Sequence, residues 1–186
     1  KKLEKYVNYD GGFFVELGAN NGISQSNSLY FEIKRKWKGI LIEPTYENFL
    51  KCKENRSSKN HIFCNACVDF DYKKQYVEMK YANMMTFSNS LENDIDDIEL
   101  HVSYGKKFLK NNEKIYEYKV LAKTLTELLD ISKAPSLVDF LSLDVEGTEL
   151  AVLKGIDFKK YNFKYILVEA RNFERMQSFL NKKNYS

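Results

Sequence analysis

Five acidic residues stand where short apolar runs give out: Glu16 in FFVELGANNG, Glu43 in GILIEP, Asp144 and Glu146 in FLSLDVEG, and Glu169 in YILVEARN. A carboxylate in such a place has two chemistries open to it. It can accept hydrogen bonds from both hydroxyls of a ribose, or take the proton of an alcohol as that oxygen becomes a nucleophile. The first run leads into Gly18 and Gly22, with Ala19 and Asn20 inside the loop. Gly18 permits a tight turn and close approach of the backbone to a ligand. The loop is not G-x-G-x-x-G, because Asn20 and Ile23 stand where glycines are needed, and no Gly-Lys-Ser/Thr follows. A dinucleotide fingerprint and a P-loop are therefore both missing.

Glu43 closes the second run, 25 residues after Gly18, and Pro44 follows it. Taken singly, Gly18 and Gly22 read equally well as an ordinary turn, and Glu43 as an exposed acid before a proline. Together, on successive strand-like runs, they favour a cofactor site. Ribose recognition without a pyrophosphate loop points to S-adenosylmethionine (SAM), whose methionine end suits the backbone amides and small polar groups of Glu16–Gly22. Asp144 is the preferred catalytic carboxylate, as base or as a group holding SAM. Glu146 is the second choice, with a first-turn acid of the following helix as the competing reading; Glu149 reads the same way. Glu169 either faces the acceptor or pairs with Arg171. His101, a lone histidine in a polar stretch, reads as a surface residue, or as one that a flexible lid brings to the acceptor. A Mg²⁺ ion would need oxygen ligands such as Asp144, Glu169 and Asn172, but nothing in the spacing demands it, and no metal site is expected.

The elements that must position these groups alternate strand and helix. Strand-like runs cover 13–17, 39–43, 61–68, 115–122, 137–144 and 163–170, and a hairpin broken near Ala82–Asn83 covers 73–87. Helices are expected over 25–36, with Leu29, Ile33 and Trp37 on the inner face, then from Thr45, over 124–131, over 148–156 with Gly155 as its stop, and over 173–184. Thr124 and Glu127 form a capping-box pair. Residues 88–114 read as one long loop, and 70–114 as an insertion covering the acceptor. That segment mixes Tyr72, Tyr76, Tyr81, Met84, Met85, Phe87, Tyr104 and Phe108 with Asn83, Ser88, Asn89 and Ser90. Aromatics beside amides and hydroxyls suit a carbohydrate, and equally a hairpin packed on the sheet. Strands alternating with helices imply a parallel sheet with helices on both faces. Ligands of such sheets bind beyond the carboxyl ends of the strands, where all five acids fall.

Composition narrows the rest. The 186 residues fit one domain, and 44% apolar with 30% charged residues is an ordinary globular balance. A net charge of +3 is too small to argue for nucleic acid or an anionic membrane. No run of about 18 apolar residues offers a membrane span. Cys64 and Cys67 have C-x-x-C spacing with no second pair, and with Cys52 make an odd total of three. Free thiols in a reducing, cytoplasmic setting are the expectation.

The stretches FFVELGANNGISQSNSLYFE, WKGILIEP, FCNACV and FLSLDVEGTELAVLKGI closely resemble the FkbM family of SAM-dependent methyltransferases. The resemblance runs from about residue 12 to about 185, and Asp144 to Gly155 is its most specific piece. It implies an α/β, class I methyltransferase fold, a Rossmann-like three-layer sandwich with a mostly parallel central sheet. Carried over by position, Glu16, Gly18, Ala19, Asn20 and Gly22 would line the methionine part of SAM, and Glu43 with Pro44 the ribose. Ala66 and Cys67 would lie beside the adenine, and Asp144 beside the transferring methyl. Many relatives have Asp where Glu16 stands, and two further strands would normally follow FLNKKNYS. The implied activity is O-methylation of a sugar, a glycan or another natural product, with S-adenosylhomocysteine as product. Linkage to glycosyltransferase domains, or a non-catalytic accessory domain of a larger glycan-processing protein, is the alternative. An NAD-dependent enzyme is disfavoured by the missing G-x-G-x-x-G.

Overall fold

The computed structural model describes residues 3–88, 90, 91, 93–109 and 113–186. Asn89 and the Met84 side chain, both expected over the acceptor, lie outside the described residues. Five strands form a parallel sheet in the order β3-β2-β1-β8-β9: β1 (Phe13–Leu17), β2 (Lys38–Ile42), β3 (His61–Phe63), β8 (Leu137–Leu143) and β9 (Asn162–Val168). The strand order turns back at β1, between β2 and β8, which is where an open α/β sheet leaves a crevice at its carboxyl edge. A second sheet, ordered β4-β7-β5-β6, holds β4 (Ala66–Val68), β5 (Tyr76–Tyr81), β6 (Phe87–Ser88) and β7 (Tyr116–Thr124).

Alternating side chains send β1, β2 and β8 into two cores. Val15, Leu17, Ile40 and Ile42 pack with Leu128 and Leu129 of α4 (Leu125–Ile131), Val152 and Leu153 of α5 (Glu149–Lys154), and Met176 of α6 (Phe173–Asn181). Phe14, Leu41 and Phe140 pack on the opposite face with Phe31 of α1 (Leu29–Arg35), Trp37, and Cys52 of α2 (Tyr46–Asn55). Helices on both faces of a parallel sheet are what the alternating pattern requires. The capping box at Thr124 is formed in full.

Several expected elements differ. The run 61–68 is two strands: β3 pairs β2, whereas β4 pairs β7 in the other sheet. Cys64 and Asn65 make the break, and the Asn65 side chain donates to the Leu121 carbonyl at 3.0 Å. The first helix starts at Leu29 rather than 25, because Gln25 has a left-handed φ of 58° and Ser26, Asn27 and Ser28 are engaged elsewhere. Its inner face is built on Phe31; Ile33 is exposed. The long loop contains α3 (Ile98–Lys106), whose N-cap Asp97 accepts from the Leu100 amide. Gly155 ends α5 at a φ of −88°, so left-handedness is not its role; a Cβ there would sit 2.1 Å from the Val68 carbonyl. The last helix ends at Asn181.

Candidate active site

The loop after β1 is shaped by its neighbours on both sides. The Gly18 and Ala19 amides both donate to the Ile42 carbonyl, at 3.1 and 3.2 Å. Gly18 has a φ of +76°, and a Cβ there would lie 1.9 Å from the Asp144 carbonyl oxygen. Glycine is needed here because two backbone segments, the loops after β1 and β8, touch. Gly22, with φ +80°, has no room either, since a Cβ would meet the Arg56 Cγ at 2.7 Å.

Below this loop lies a buried ionic knot. The Glu16 carboxylate accepts from the Ser26 hydroxyl at 2.8 Å, the Asn27 amide at 2.7 Å and the Ser28 hydroxyl at 2.5 Å. Arg56, whose side chain has no solvent exposure, reaches Glu16 at 3.5 Å and Glu32 at 2.7 Å. It also donates to the Gly22 carbonyl at 3.1 Å, and its guanidinium lies 5.3 Å from the centre of the Phe14 ring. Burial of charges this close is tolerable because the partners are paired and hydrogen-bonded. The knot holds both ends of the loop 18–28.

Glu43 continues β2 into the same crevice. Its Oε2 accepts the Asn20 amide at 2.8 Å and its Oε1 the Thr45 amide at 2.9 Å. Burial pushes its pKa up, and those hydrogen bonds oppose the shift. Each oxygen retains acceptor capacity beyond its backbone partner.

Across the crevice, Asp144 follows β8 and Glu169 follows β9. The neighbouring Glu169 carboxyl disfavours the charged form of Asp144. Burial and then this partner push Asp144 up to about 8. Glu146, at a left-handed φ of 54°, is bound instead by Arg171, Nη2 to Oε2 at 2.5 Å. Burial raises its pKa and the arginine works against that. Glu149 is buried, and its Oε1 accepts the Val145 and Gly147 amides, both at 3.1 Å. It fastens the loop that carries Asp144 and Glu146, beyond its place in the first turn of α5.

These groups open onto one cavity of ≈ 290 Å³, at the small end of ligand sites, which run from about 300 to 1,000 Å³. Glu16, Gly18, Asn20, Glu43 and Pro44 line one part of it, Ala66 and Cys67 another, and Asp144, Glu146 and Glu169 a third. The second sheet and the segment after it add Met79, Asn83, Met85, Thr86, Ser88 and Phe108. The family model of the methyltransferase FkbM domain matches residues 16–186. The chain belongs to the FkbM methyltransferase family. No curated protein and no solved structure matches it significantly.

Within this FkbM domain, ten of the twelve expected site residues share the cavity, and two stand apart. Ala19 is 1% exposed and packs in the core with Phe14 and Phe31. Gly22 backs onto Arg56, away from the cavity wall. Glu16 lines the cavity but spends its oxygens on the ionic knot. Arg171 pairs with Glu146, not Glu169. His101 is 4% exposed, against the expectation of a surface residue, because α3 lays it edge-on against Phe87. Thr45 lines the cavity, its hydroxyl 3.0 Å from that of Tyr118, and Arg56 braces the loop behind it; neither was expected at the site, whereas Arg171 was, as a partner for Glu169. Only the Asp97 helix cap ahead of His101 was a usable signal in the sequence. Among the described residues no group of three His, Cys, Asp or Glu is placed to hold a metal, and no helix is long and apolar enough to cross a membrane.

Proposed function

We propose that this methyltransferase takes its methyl group from SAM and delivers it to a hydroxyl of a sugar or glycan. The observation that carries the reading is one cavity lined by Glu43 at the end of β2 and by Asp144 and Glu169 after β8 and β9. SAM supplies a methyl group already activated on a sulfonium. The chain's residues have to bind it, align the acceptor and remove a proton.

The residues present fit that cofactor. Glu43 has acceptor capacity on both oxygens for two vicinal hydroxyls, and Asn20 and Thr45 fix its orientation. Gly18 and Asn20 offer a loop edge for the amino-acid end. Ala66 and Cys67 give a small, apolar wall for a flat base; burial pushes the Cys67 thiol up, so it stays neutral. In-line displacement makes alignment the first requirement. An alcohol then needs a base within hydrogen-bond reach. Asp144 raised to about 8 is a stronger base than an ordinary carboxylate once ionised, and the neighbouring Glu169 contributes to that rise. The acceptor wall mixes Asn83, Thr86 and Ser88 with Met79, Met85 and Phe108. Amide and hydroxyl groups beside apolar faces suit a saccharide ring.

The test is transfer of labelled methyl from SAM to a panel of mono- and oligosaccharides and non-carbohydrate alcohols, with and without EDTA. Label on a saccharide, undiminished by EDTA, supports the proposal. Label on other alcohols alone moves the substrate class to non-sugar natural products. Binding of SAM with no transfer to any acceptor favours an accessory, binding role.

A further inference from the structure

The segment over the acceptor wall is tied at three points, to the loop after β8, to α6 and to the segment after β9. The Asp94 amide donates to the Gly147 carbonyl at 2.9 Å. Arg175 reaches the Asp94 carboxylate at 3.1 Å. The third tie runs through His101. Its Nε2 lies 2.9 Å from the Met85 carbonyl, and its Nδ1 lies 3.5 Å from Arg171 Nη2. A carbonyl can only accept and a guanidinium can only donate. The network therefore assigns the proton to Nε2 and leaves Nδ1 as an acceptor, a neutral imidazole. Arg171 spends the same nitrogen on Glu146 at 2.5 Å, and Glu146 Oε2 is 3.9 Å from His101 Nε2. Behind the ring, Phe87 meets it edge-on at 5.1 Å between centroids. Gly105 lets α3 approach closely, since a Cβ there would be 2.7 Å from the Ala82 carbonyl.

We propose that His101 is a positioning residue for the acceptor half of the cavity, holding Met85 by its backbone and tying that wall, through Arg171, to Glu146 at the end of β8. Met85 and Glu146 both line the cavity, so the relay joins two of its walls, which follow strands of different sheets. On this account Glu146 is an anchor for the covering segment, and the proton chemistry is left to Asp144 and Glu169. Arg171 and Glu146 are the charged groups facing the imidazole. Burial first, and the arginine with it, hold its pKa below the ordinary value. The inference rests on the cavity being the acceptor site, but the relay itself is testable without any ligand.

The chain has two histidines and four methionines, so imidazole and methyl resonances are few enough to assign. Arg171→Gln is the main variant, because Arg171 is 35% exposed and its loss should not unfold the chain. His101→Phe is the second, keeping a ring against Phe87. In the wild type, His101 should be the Nε2–H tautomer and titrate below its ordinary range. Arg171→Gln should raise that titration, shift the Met85 methyl resonance and speed amide exchange over 98–106 by about tenfold or more, as local opening does. An Nδ1–H tautomer in the wild type overturns the proposal. So does an Arg171→Gln variant with unchanged titration, Met85 resonance and exchange. Failure of S-adenosylhomocysteine to bind the wild type would sink the cofactor reading and leave the relay standing.

Discussion

Arg56→Ala tests whether the loop after β1 is held from beneath. The arginine side chain is fully buried, Glu16 is 3% exposed and Glu32 is 11% exposed, so this is an ion-pair network inside the protein. Losing the cation strands two carboxylates and frees the Gly22 carbonyl from its side-chain donor. Glu16 keeps its bonds to Ser26, Asn27 and Ser28, and Glu32 keeps the Ser57 amide and Asn60. Those acceptor bonds soften the loss but do not neutralise the charges. Breaking a buried pair by removing one partner costs about 3–5 kcal/mol. For a domain of this size each kcal/mol is about 2–4 °C in Tm, giving a fall of roughly 6–20 °C. Arg56→Lys keeps the charge but lacks the planar fork that reaches both acids, so it should fall between wild type and Arg56→Ala. The assay is urea denaturation at neutral pH with a shared m-value, with amide exchange over residues 18–28 read alongside. A loss for Arg56→Ala under about 1 kcal/mol, the range of exposed salt bridges, would refute the reasoning.

Gly18→Ala should be severely destabilising, because a Cβ would stand 1.9 Å from the Asp144 carbonyl at a left-handed φ; a mild effect in the same denaturation assay would contradict the packing of the two loops. Asp144→Asn should abolish methyl transfer while keeping cofactor binding, and wild-type turnover should rise with pH towards a plateau above about 8. The same group gives a stability test that needs no acceptor. A carboxyl raised in the folded state stabilises it below its unfolded pKa, and that contribution is lost as pH climbs towards the folded value of about 8. The stability of Asp144→Asn relative to wild type should therefore improve between pH 5 and pH 9, and a constant difference across that range would be inconsistent with the shift.

How much of this was legible in the sequence follows from the range of each interaction. Glu43, Asp144 and Glu169 could be found because an apolar run ending in an acid marks the carboxyl end of a buried strand, where parallel sheets bind ligands. The Thr124–Glu127 cap was legible because both partners lie within one turn. Gly18 could be flagged, but its cause, the Asp144 carbonyl, lies 126 residues away in the chain. Arg56 was silent, and Arg171 was matched to Glu169, for the same reason: only the fold brings Glu16 to one and Glu146 to the other. The surface reading of His101 failed because α3 has a weak pattern, and its burial depends on Phe87 and Met85. The split between β3 and β4 carries no glycine or proline to announce it, so one apolar run looked like one strand.

The measurement that bears most directly on the cavity is calorimetric titration of the wild type and Glu43→Gln with SAM, S-adenosylhomocysteine and NAD. Glutamine keeps one acceptor oxygen but removes the charge and one acceptor for the Asn20 and Thr45 amides. The account predicts that the wild type binds both sulfur ligands and not NAD. It predicts a loss of about tenfold or more in Glu43→Gln, since one charge-assisted hydrogen bond is worth about 1.5–3 kcal/mol. Binding of NAD alone, or equal SAM affinity in wild type and variant, would contradict it.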